Sequence, residues 1–190
     1  MPPIQKISKE MILNSGIEIV RGEGIENLNV RNIAKKLNCS TQPIMYHYKN
    51  MDLLKEELYS LTDNYHSEFL KKGNNQNNPL LNIGLQYIKF ASEESNLFKF
   101  LFQSNKFANS NFEQLTNCDG VEFILNEIQR EANITKVKAK ELFENIFISA
   151  HGIASLIANN SMKYDEIYCI KILKSAFLGS LIKIKDIKEE

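Results

Sequence analysis

Leu28-Asn29-Val30-Arg31-Asn32-Ile33-Ala34-Lys35-Lys36-Leu37-Asn38-Cys39-Ser40-Thr41-Gln42-Pro43-Ile44-Met45-Tyr46-His47-Tyr48-Lys49 reads as two short helices with a tight break between them. In the first, Val30, Ile33, Ala34 and Leu37 fall at the i, i+3, i+4, i+7 spacing of one apolar face, and Arg31, Asn32, Lys35 and Lys36 point away from it. Asn29 stands at its capping position. The break is Asn38-Cys39-Ser40, because asparagine tolerates the left-handed conformation that ends a helix. Ser40 or Thr41 is placed to cap the second helix. Pro43 falls in the first turn of that helix, where a missing N–H costs no hydrogen bond. Ile44, Met45 and Tyr48 make its apolar side, which leaves Gln42, Tyr46, His47 and Lys49 exposed.

Two helices joined by such a turn fit the helix-turn-helix, whose second helix enters a DNA major groove. On that expectation residues 29–48 are the reading unit. Thr41, Gln42 and Pro43 open the reading helix nearest the base edges, Gln42 being suited to bond adenine through two hydrogen bonds. Arg31 and Lys49 are placed for phosphate contacts, and Asn29 can offer its side chain or the helix N-terminus to a phosphate. Lys35 and Lys36 read as solvated surface.

At these residues the chain resembles the TetR family of one-component transcriptional repressors. The likeness is carried by Leu28-Asn29-Val30-Arg31-Asn32-Ile33-Ala34 and by Ile44-Met45-Tyr46-His47-Tyr48. Flanking stretches add to it: Ile12-Leu13-Asn14-Ser15-Gly16-Ile17, Gly24-Ile25-Glu26-Asn27-Leu28 and Lys49-Asn50-Met51-Asp52-Leu53-Leu54. Asn38 replaces the usual turn glycine, and Met45 stands where the first tyrosine of the pattern commonly stands. The resemblance implies that Tyr46 and His47 touch the sugar-phosphate backbone. Ser40 joins them in the expected DNA-binding set.

Working outward, helix one is expected over about Ile4 to Gly22, with Ile12, Leu13, Gly16, Ile17 and Val20 inward and Gly24 as its stop. Helix four follows from near Asn50 to about Lys72. The polar stretch Gly73–Pro79 reads as a linker. Five further helices are expected: about Leu80 to Ala91, Leu97 to Gln103, Gly120 to Glu131, Lys136 to Ala158 and Asp165 to Ile184, with a loop around Ala108 to Cys118. The expected architecture is all-α, about nine helices. Residues 1–50 form a three-helix helix-turn-helix domain, and residues 51–190 a helical regulatory and dimerisation domain.

Helices eight and nine are apolar on more than one side, and such helices need cover on two faces. One face can meet the body and the other a second copy. The resemblance likewise implies a homodimer through about residues 136–184, and two-fold pairing is what a palindromic double-stranded operator requires. Ala150-His151-Gly152 resembles the Trp-His-Gly segment of one group of such C-terminal domains, with alanine in place of the tryptophan. The family commonly holds a small-molecule cavity in this body. Phe90, Phe98, Phe102, Phe123, Phe147 and His151 are the expected lining of an apolar effector site, although such an aromatic set is more often core.

The 190 residues include 23 basic and 23 acidic side chains, and a neutral total taken alone argues against a nucleic-acid partner. Distribution changes that reading, since eight basic residues stand against five acidic ones up to Lys55. Cys39, Cys118 and Cys169 form neither a disulfide framework nor a zinc pattern. His66 and His151 lack ligand-spaced companions, so no metal or cofactor is expected. No apolar run reaches the roughly 18 residues of a membrane span, and the expected location is the cytoplasm. The chain has no Gly-x-Gly-x-x-Gly, phosphate loop, Gly-x-Ser-x-Gly or His-Glu-x-x-His, so an enzyme is not expected. The expected function is a ligand-responsive dimeric repressor. The alternatives are an activator on the same parts, or an interaction module that keeps the helix-turn-helix only as a fold.

Overall fold

A computed structural model describes residues 7–72, 79–104 and 121–186. Among these, the regular elements are all helical. They are α1 (Lys9–Glu23), a 3-10 turn (Ile25–Asn27), α2 (Val30–Lys36), α3 (Gln42–His47), α4 (Met51–Lys71), α5 (Pro79–Glu93), α6 (Ser95–Phe102), α7 (Val121–Ala132), α8 (Lys136–Ala158) and α9 (Glu166–Asp186). The all-α architecture expected from the periodicity is thus observed. Of the expected linker, residues 73–78 lie outside the described residues. Pro79 is instead the first residue of α5, a position that tolerates proline. The loop expected at 108–118 also lies outside them.

The chain divides into two compact units, one formed by the chain to Glu68 with Glu94–Ser104, the other by Phe69–Glu93 with the chain beyond Ser104. In the first, α1 is capped by Ser8, whose side chain accepts from the Met11 amide, and it ends at Gly24 with φ +87°. Its buried face is Ile12, Ser15, Gly16, Ile19 and Val20. This corrects the expected face. Leu13 and Ile17 are only half-buried, because the stripe centres on Ile12, Gly16 and Ile19 at i, i+4, i+7. Gly16 allows the close approach, since a Cβ there would come within 2.9 Å of Leu58 on α4. The helix expected from Ile4 begins at Lys9; residues 4–6 are outside the described residues. α6 packs against α1 in this unit, with Leu97, Phe98 and Leu101 buried.

In the second unit α8 is central and packs on α5, α7 and α9. Ala139, Leu142, Ile146, Ala150, Ala154 and Ala158 form its buried line. Gly84 of α5 admits Leu173 of α9, whose Cδ1 lies 3.1 Å from where a glycine Cβ would be. Apolar side chains remain exposed on the same two long helices: Ile148 and Leu156 on α8, and Tyr168, Leu178 and Ile182 on α9. Gly152 lies between Ile148 and Leu156 on α8, exposed and with open space where its Cβ would be. Among the described residues, no helix is long and apolar enough to cross a membrane, and no cluster of three or more His, Cys, Asp or Glu is placed to hold a metal ion.

Candidate nucleic-acid interface

The local chemistry of 29–48 builds the two-helix unit from caps and one strained turn. Asn29 has extended backbone and its Oδ1 accepts from the Asn32 amide at 2.9 Å, which satisfies one of the orphan donors opening α2. Asn32 Nδ2 in turn donates to the Asn27 carbonyl at 2.8 Å. Ile33 and Ala34 are the buried side of α2, with Val30 and Leu37 half-buried beside them. The turn rests on Asn38, at φ +49°. The Cys39 amide then donates back to the Ala34 carbonyl at 3.0 Å and closes the helix end.

Thr41 occupies the cap position of α3, but its backbone is already helical and its side chain makes no capping bond. Neither Ser40 nor Thr41 therefore caps through its hydroxyl as expected, and both are exposed. Met45 also departs from expectation. It is 46% exposed, and only Ile44 and the following Tyr48 are buried. The spacing explains this: Met45 is three residues after Gln42, so it shares the outer face with Gln42 and Tyr46. Tyr46 is 85% exposed. His47 is half-buried, and its Nε2 donates to the Ile7 carbonyl at 3.1 Å, since a carbonyl only accepts. Pro43 is half-buried in the first turn.

Charges separate into paired and unpaired cations. Lys9 pairs with Glu57, Arg21 with Glu94, Lys36 with Glu18 and Lys55 with Asp52. Arg31, Lys35 and Lys49 are exposed and carry no salt bridge among the described residues. These three flank the outer face of α3 in sequence, on α2 and directly after Tyr48. Lys35 thus stands apart from Lys36, although the sequence reading placed both in plain surface. Both lysines are exposed, as expected of solvated surface, and Met45 is the residue whose exposure the apolar reading of α3 does not anticipate. The signal for Met45 is its i+3 relation to Gln42; nothing local separates Lys35 from Lys36, since neither has an acidic residue one helical turn away and Lys36 finds Glu18 on α1.

Of the six residues expected to line an effector site, two fall in the first unit and Phe90, Phe147 and His151 in the second. Phe98 and Phe102 belong to the first unit, their ring centroids 5.0 Å apart, with the His66 ring 5.1 Å from Phe102. Phe90 belongs to the second unit, where it meets Phe69 edge-on. Phe90 and Phe98 have no exposed surface, so they are core and line no space that water can enter. The Phe123 side chain lies outside the described residues. Phe147 and His151 do come together, stacked at 5.7 Å with Phe143 one turn earlier. The Tyr87 hydroxyl shares a 2.8 Å hydrogen bond with His151 Nδ1. Burial pushes the His151 imidazole below its ordinary range, which favours the neutral ring.

A helix-turn-helix in the first unit and long apolar helices in the second define the class: the chain has the TetR-like fold. Its structure matches that of a TetR-like transcriptional regulator from Rhodococcus sp. RHA1, with a TM-score of 0.65 over 91% of this chain and 94% of that chain. The two sequences are 13% identical, so the likeness is one of fold. No family model matches the sequence, and no curated protein matches it.

Proposed function

We propose that this protein is a TetR-type, DNA-binding transcriptional regulator: a ligand-responsive repressor that binds a palindromic operator as a homodimer in the cytoplasm, and not an enzyme. One observation carries the reading. The outer face of α3 presents Gln42, Met45 and Tyr46 to solvent, and of the exposed cations near it in sequence Arg31, Lys35 and Lys49 have no ion-pair partner among the described residues, while Lys36 pairs with Glu18. A polar reading edge beside uncompensated cations suits a polyanion, because each phosphate neutralised releases condensed counterions. Gln42 is assigned to adenine and Met45 to a thymine methyl. Thr41, Ser40, Tyr46, Asn29, Arg31 and Lys49 are assigned to the backbone, and residues 1–50 hold these contacts. His47 keeps its place in the interface mainly by holding the helix, as one ring nitrogen is already engaged.

Dimerisation is assigned to the exposed apolar stripes of α8 and α9. Two-fold pairing there would set two reading helices about 34–36 Å apart, or a helical turn more. The effector site is placed at Tyr87, Phe147 and His151, which offer aromatic walls and one polar pair to an apolar ligand with a single hydrogen-bonding group. A ligand that prefers the state with wider-spaced reading helices would lower operator affinity by its differential affinity for the two states.

The test is binding of the purified protein to duplex DNA from around its own gene, at two salt concentrations. A complex that survives competitor DNA and weakens with salt is expected. Binding that competitor removes entirely, or no binding, would refute the reading.

A further inference from the structure

The end of the reading helix is tied to two other elements of its unit. α3 has six residues, one buried side chain (Ile44) and no side-chain cap at its start. So short a helix does not hold itself, because its nucleation cost is not recovered within two turns. Its orientation must come from tertiary ties, and these gather at its C-terminal end. Tyr48, the residue that closes α3, is 3% exposed, and its hydroxyl donates to Glu57 Oε2 on α4 at 2.8 Å. The other carboxylate oxygen of Glu57 accepts from Lys9, the first residue of α1, at 2.5 Å. Lys9 also sits over the Tyr48 ring, 5.4 Å from its centroid. One residue earlier, His47 donates to the Ile7 carbonyl just before α1.

We propose that Glu57 is the positioning residue of the reading helix, fixing the angle at which α3 presents Gln42 and Met45 by holding Tyr48 and Lys9 on its two oxygens. The role rests on the DNA-binding reading above. Lys9 holds the Glu57 carboxyl below the usual carboxylate range, so both oxygens accept at neutral pH. Burial and the Glu57 acceptor push the Tyr48 hydroxyl well above its ordinary value, so it remains a donor. The Lys9 pair by itself is exposed on both sides and contributes little. The bond to the buried tyrosine is the part that sets geometry.

The experiment compares the full-length protein with Glu57→Ala, Tyr48→Phe and Glu57→Gln. It measures affinity for the operator and for a random duplex, together with amide hydrogen exchange. Glu57→Ala and Tyr48→Phe should weaken operator binding about ten-fold while random-duplex affinity stays unchanged. Amide exchange at Met45 to Lys49 should quicken in both. Glu57→Gln keeps an acceptor for Tyr48 and should stay near wild type. The proposal is overturned if operator affinity and exchange are unchanged, or if operator and random-duplex binding fall in parallel with the thermal midpoint. A wild type with no competitor-resistant complex would overturn the DNA-binding reading and this role with it. Faster exchange in Glu57→Ala would then mark a structural tie and nothing more.

Discussion

At the scale of single residues, the face of α3 and the cations around it should separate cleanly in their effect on DNA binding. Gln42 and Met45 are exposed and carry no charge, so their effect should depend on sequence. Gln42→Ala and Met45→Ala should each cost about 1–3 kcal/mol at the operator and nothing on a random duplex. Arg31→Ala and Lys49→Ala should weaken binding to both duplexes alike, and each should reduce the salt slope by about one. A titration at four salt concentrations separates the two behaviours. Equal losses on both duplexes for Gln42→Ala would remove it as a base reader. Several of these positions were legible in the sequence because local rules govern them. Asn29 caps α2 and Asn38 takes the left-handed conformation, both as side-chain chemistry dictates. Met45 was misplaced because an apolar residue on a short helix reads as core until its phase against Ile44 is known.

At the scale of elements, α8 and α9 pose a choice that Gly152 can decide. In a single chain a Cβ at Gly152 meets nothing within 4 Å. Replacing a helical glycine by alanine should then stabilise an isolated chain by about 1 kcal/mol. If the stripe of Ile148, Gly152 and Leu156 is the pairing face, a large charged side chain there should break the dimer. Gly152→Arg is therefore expected to elute as a monomer in size-exclusion chromatography with light scattering, with a normal helical spectrum and a large loss of operator affinity. A dimer of unchanged mass would assign the pairing elsewhere. The sequence reading anticipated two-sided apolarity in both helices because periodicity exposes it directly. It did not say which apolar side chains stay outside. That follows from which face α5 and α7 cover, and α5 also packs on α9, where Gly84 leaves room for Leu173.

At the scale of the whole molecule, stability should carry the mark of one buried imidazole. His66 on α4 is 6% exposed, and burial lowers its pKa to about 4. In the unfolded chain it titrates at its ordinary value near 6.5, so between the two values the unfolded state binds more protons. Stability is then lost as pH falls from about 6.5 towards 4, by up to about 3 kcal/mol, and the loss levels off below that. Urea unfolding at neutral pH and at the acid end of that window should show this in the wild type. His66→Gln should flatten the dependence, and an unchanged difference would show that other groups, the half-buried His151 and the carboxylates, produce it. Charge has to be judged at this scale too. Through Lys55 the chain is basic, yet the first compact unit as a whole carries nine basic and ten acidic residues. What would mark a DNA-facing side is therefore which cations find a partner, and net charge alone does not show it.

The sequence by itself determined the all-helical class, the position of the helix-turn-helix, and the ends of most helices. These depend on periodicity, capping and left-handed turns, which act within a few residues of each other. Only the tertiary structure decided what the candidate residues meet. It showed that Phe90 and Phe98 are sealed core while Phe147 and His151 meet Tyr87, and that the compact unit containing α3 runs into α4 and takes in α6. It also showed that Lys36 and Lys9 are paired while Lys35 is not, and that Tyr48 hangs from Glu57. Such ties join side chains distant along the chain or set the phase of one helix against another. Composition and spacing carry no record of either, because a helical period fixes which residues share a face and leaves open what that face meets.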